Sequence, residues 1–166
     1  MSVAPAQSLL RFLERHDDKA WAETVATLLP SIHEVDRNAT RIWLAFWPLS
    51  ITRAFAATKD ADRLARRLAL QGRYRLKDQI DTSHEFLYGH RYWPEARKAV
   101  LDAAAAGDTG ASLADRVREI AAHAAAAAGV DRSLVVGIAV VALCTLQHVG
   151  VDALAASKGA VRLDGA

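Results

Sequence analysis

The chain has 166 residues, 52% hydrophobic and 24% charged, with a formal net charge of +2. That length fits one domain around a single core, and so small a net charge does not by itself argue for nucleic acid or a membrane surface as the partner. The single cysteine, Cys144, excludes an internal disulfide and every multi-cysteine zinc or iron–sulfur site within one chain.

The first helix is expected over residues 6–16, with Leu9, Leu10, Phe12 and Leu13 as its apolar face. The opening residues lack the basic region of a secretory signal and reach charge at Arg11. A cytoplasmic protein is therefore expected. Asp17 or Asp18 can cap a second helix carrying Trp21, Val25, Leu28 and Leu29, which Pro30 ends.

A third helix is expected over 35–57. In it Trp43, Trp47, Ile51 and Phe55 recur every four residues and form one aromatic-rich stripe, with a kink at Pro48. A fourth, over 60–70, stops at Gly72, and a fifth, over 76–88, stops at Gly89. Pro94 suits the first turn of a sixth helix reaching Ala106. Ser112 followed by Asp115 resembles a capping box for a seventh, ended by Gly129.

Asp131 or Ser133 then caps a last long helix reaching Ala156, apolar on all sides and so expected to be surrounded by the others. Its apolar run, 134–146, falls short of the roughly 20 residues that span a bilayer. Residues 157–166 read as a frayed tail. With no internal repeat and no long linker, residues 1–166 read as one all-α domain, a bundle of about six to eight helices.

Side chains able to carry chemistry concentrate in residues 81–94, DTSHEFLYGHRYWP, which hold two of the six histidines and three of the seven Tyr and Trp residues. His84 and Tyr88 are four apart and share a helix face, and Asp81 stands three before His84, where it can fix the imidazole tautomer. Gly89 then releases the chain, and a short turn displays His90, Arg91, Tyr92 and Trp93. Such a turn suits a pocket rim. It equally suits a packed aromatic corner between two helices.

The leading functional expectation is a helical haem-binding protein acting in electron transfer, gas sensing or redox chemistry. His84, His90 or His148 would be the axial ligand, with Asp81 favouring His84. Trp47, Tyr88, Tyr92 and Trp93 would form the wall, and Arg73, Arg75 or Arg91 would meet the propionates. The basic run Arg63, Arg66, Arg67, Arg73, Arg75 and Lys77, with Tyr74 inside it, fits such an anion-facing role or a solvated surface.

Two other expectations compete. One is a cofactor-free interaction or regulatory module, docking a redox or regulatory protein partner on the aromatic corner and basic connection. The other is a non-haem enzyme using iron or another transition metal. Four histidines have a carboxylate three or four residues away: His33 with Asp36, Asp81 with His84, Glu119 with His123, and His148 with Asp152. Roughly two of six histidines would have such a neighbour by chance at this acid content, and only Asp81–His84 has the order and spacing of a di-metal motif, with aspartate in place of glutamate. No glycine-rich phosphate loop, nucleophile elbow or H-E-x-x-H helix is present.

Overall fold

The computed structural model describes residues 4–37, 40, 89–159 and 162–163. The fold is an all-α bundle. The three helices expected over 35–57, 60–70 and 76–88 lie outside the described residues, apart from a first helical turn at 34–37 and Thr40.

Helix α1 (Pro5–Glu14) starts with proline in its first turn, where the missing N–H has no intrahelical partner to lose. It buries Leu9, Phe12 and Leu13. Helix α2 (Asp18–Leu28) is capped by Asp17, whose carboxylate accepts the Ala20 N–H at 2.9 Å. It gives way to a 3-10 turn at Leu29–Ser31, where Pro30 cannot continue the α-helical bonding.

Helix α3 (Trp93–Ala106) has Pro94 in its first turn and ends at Gly107. Gly107 has a φ of 86°, and a Cβ there would stand 2.8 Å from Ser8 Oγ and 3.3 Å from the Pro5 backbone. Only glycine meets both demands without strain. Helix α4 (Leu113–Ala128) is capped by Ser112, which accepts the Asp115 N–H at 3.2 Å. The Asp115 carboxylate turns to Arg118 at 2.7 Å, so this bond of the expected capping pair is the one from Ser112. Gly129, with φ 68° and ψ 35°, ends α4 in the left-handed region.

The long final helix expected from the sequence is divided. Asp131 accepts the Ser133 N–H within a 3-10 turn at Arg132–Leu134. Helix α5 follows over Val136–Val149, and a short α6 over Val151–Ala156. Between them Gly150 adopts φ 87° and ψ 177°, a conformation open essentially to glycine. It accepts the Leu154 N–H through its carbonyl and gives its own N–H to Leu146 O. The apolar residues on either side hide that break from a periodicity argument. Of the expected frayed tail, Ser157–Gly159 pairs antiparallel with Arg162–Leu163.

Every residue from Val136 to Leu146 is buried, as expected for a helix enclosed by others. Helices α1, α3, α4 and α6 all pack on α5, and α3 also packs on α1, α4 and α6. Burying a Val, Leu or Ile side chain contributes about 1.5–3 kcal/mol, so Ile138, Val140, Val141, Leu143 and Leu146 make α5 the energetic centre of the described bundle.

Polar bonds fix the packing where helices meet. The Trp21 indole N–H donates to Gln147 Oε1 at 2.6 Å, and Gln147 Nε2 donates to His16 O at 2.8 Å. One side chain of α5 therefore satisfies α2 and the α1–α2 turn together. At the other end of α3, buried Arg116 donates to Gly107 O and, at 3.1 Å, to Glu119.

Candidate functional site

His33 starts the helical turn that leads out of the described N-terminal part. Its Nδ1 accepts the Val35 N–H at 3.2 Å, and its carbonyl accepts the N–H groups of Asp36 and Arg37. Arg37 doubles back, donating from Nε and Nη2 to Ile32 O at 3.1 and 2.9 Å. Thr40 is buried and donates to Asp36 O at 2.8 Å. Asp36 is thereby held in place by its own backbone neighbours.

The chain re-enters the described residues at Gly89. The Tyr92 N–H donates to His90 Nδ1 at 3.0 Å, and the Trp93 N–H donates to His90 O at 3.1 Å. A backbone N–H can only donate, so Nδ1 acts as the acceptor and the ring carries its proton on Nε2. Nε2 lies 2.9 Å from Asp36 Oδ2 and donates to it. The two side chains are 7% and 11% exposed, so this bond is nearly free of competing water.

Both imidazole nitrogens of His90 are engaged in this arrangement. The bond is a clasp between two points 54 residues apart in sequence. Residues 41–88 run between its arms.

The other turn residues point to different places. Arg91 is exposed, with its guanidinium carbon 5.5 Å from the Tyr92 ring centroid. Tyr92 is half-buried against the core. Trp93 is buried and, with Arg97 one turn further on, directs a donor at the carbonyl of Ser157. His90, Tyr92 and Trp93 thus form a packed corner, with Arg91 on its outer side. His148 sits half-buried in the last turn of α5, on a helix that packs against α3. His84, Tyr88, Trp47 and Arg75 lie outside the described residues, as do Asp81 and the basic run 63–77.

Two of the four histidine–carboxylate pairs expected from spacing are replaced by others, and Asp81 and His84 lie outside the described residues. Asp36 meets His90 rather than His33. Glu119 meets Arg116 at 3.1 Å, while His123 meets Asp102 at 3.0 Å across the α3–α4 interface. Among the described residues no group of three or more His, Cys, Asp or Glu side chains is placed to hold a metal ion. No helix among them is long and apolar enough to cross a membrane.

Two exposed aspartates have perturbed acidity. Hydrogen bonds from Lys98 and then His123 hold the Asp102 carboxyl below the ordinary aspartate range. Bonds from the Ser133 hydroxyl and backbone do the same for Asp131. Asp131 lines an open depression of ≈ 740 Å³ together with Ser31, Arg132 and Ser133. None of the residues expected to form the site borders it.

Charge and aromatic content divide at the clasp. Residues 41–88 carry nine Lys and Arg against five Asp and Glu, a net +4, whereas the rest of the chain carries 12 against 14, a net −2. The same 48 residues hold seven of the 11 aromatic side chains. No protein-family model, curated protein or solved structure matches this chain.

Proposed function

We propose that this protein is a helical cofactor-binding module in which the described helices are the scaffold and residues 41–88 make the ligand contacts. The observation that carries this reading is the Asp36–His90 bond, a buried pair that ties together the two ends of the most aromatic and most basic stretch of the chain. Aromatic surface favours a flat apolar body, and clustered arginine favours carboxylates or phosphates on its edge. Haem combines the two, and its use would be electron transfer, gas sensing or redox chemistry.

In this proposal His84 supplies the axial nitrogen, because Asp81 stands three residues before it and His90 is already committed to Asp36. Trp47 and Tyr88 contribute wall, Arg75 a propionate partner, and His148 is the second candidate ligand. Titrating the purified chain with haemin tests this. A saturable Soret band at one equivalent, lost in His84→Ala and kept in His90→Gln, supports it. A titration curve indistinguishable from free haemin sinks it.

The charge division favours a second reading, in which the +4 segment docks an acidic redox or regulatory protein without any cofactor. That reading expects the haemin titration to be blank and the Arg73→Glu/Arg75→Glu variant to lose binding to an anionic heparin column.

A further inference from the structure

We draw no further inference here: the strongest candidate, the cleft between α3 and α4 lined by Asp102, Arg116, Glu119 and His123, carries none because its charged groups are engaged with their own neighbours, Asp102 with Lys98 and His123 and Glu119 with Arg116, and nothing in the structure points to a ligand there.

Discussion

Replacing His90 with alanine leaves the Asp36 carboxylate, 11% exposed, without the proton donor 2.9 Å away. Removing one partner of a buried pair and stranding the charged one costs about 3–5 kcal/mol. The reverse change, Asp36→Ala, strands only an imidazole N–H and should cost about 1–3 kcal/mol. Asp36→Asn keeps an acceptor in place and should cost less than either.

The order His90→Ala, then Asp36→Ala, then Asp36→Asn is therefore fixed by which group is left unpaired. In Asp36→Ala/His90→Ala nothing charged is stranded, so the double variant should be more stable than the sum of the singles by about 1–3 kcal/mol. Urea unfolding followed by circular dichroism measures these differences. For a chain of this size 1 kcal/mol moves Tm by about 2–4 °C, so His90→Ala should lower Tm by about 6–20 °C. Additive single losses, or Asp36→Asn as damaging as Asp36→Ala, would refute the reasoning.

Gln147→Leu should cost about 1–3 kcal/mol in urea unfolding, because it leaves the fully buried Trp21 indole N–H and the His16 carbonyl without Gln147. A loss within 0.5 kcal/mol of zero would show that water replaces both bonds. Gly150→Ala meets no atom within 4 Å but must hold φ 87°, so its cost is conformational, about 1–3 kcal/mol, and a neutral result would count against the break between α5 and α6. Asp102 should titrate below an ordinary aspartate in a carboxyl NMR titration. Its folded value is depressed, so its contribution is present above the unfolded pKa and is lost as pH falls through the folded one. Lys98→Ala should move the titration upward more than His123→Ala, since the Lys98 bond is the larger cause.

Much of the described fold was legible because local chemistry marks its boundaries. Asp17 and Ser112 accept the N–H groups their positions imply, and Pro94 and Gly129 open and close helices where expected, whereas Asp131 caps the 3-10 turn that precedes α5 and not α5 itself. Gly150 was not legible as a break. An isolated glycine within an apolar helical pattern is tolerated, and its φ of 87° is set by how α6 returns onto α3 and α5.

The site was legible only in outline. His90 stood out through its neighbours, but spacing paired Asp36 with His33, because only residues within a few positions can be matched on a helix face. The partner that the fold supplies lies 54 residues away. Likewise, the Trp93 indole N–H meets the carbonyl of Ser157, 64 residues on, a partner that spacing could not supply. A turn rich in His, Tyr and Trp has the same sequence whether it rims a cavity or seals a corner. Its tertiary partners decide which.

Haemin titration of the wild-type, His84→Ala and His90→Gln proteins tests the central claim most directly, that residues 41–88 hold a flat anionic cofactor on a scaffold closed by Asp36 and His90. The account predicts a one-to-one Soret band in the wild type and in His90→Gln, and its loss in His84→Ala. A wild-type chain that leaves the haemin spectrum unchanged, or a band that survives His84→Ala and disappears in His90→Gln, would contradict it.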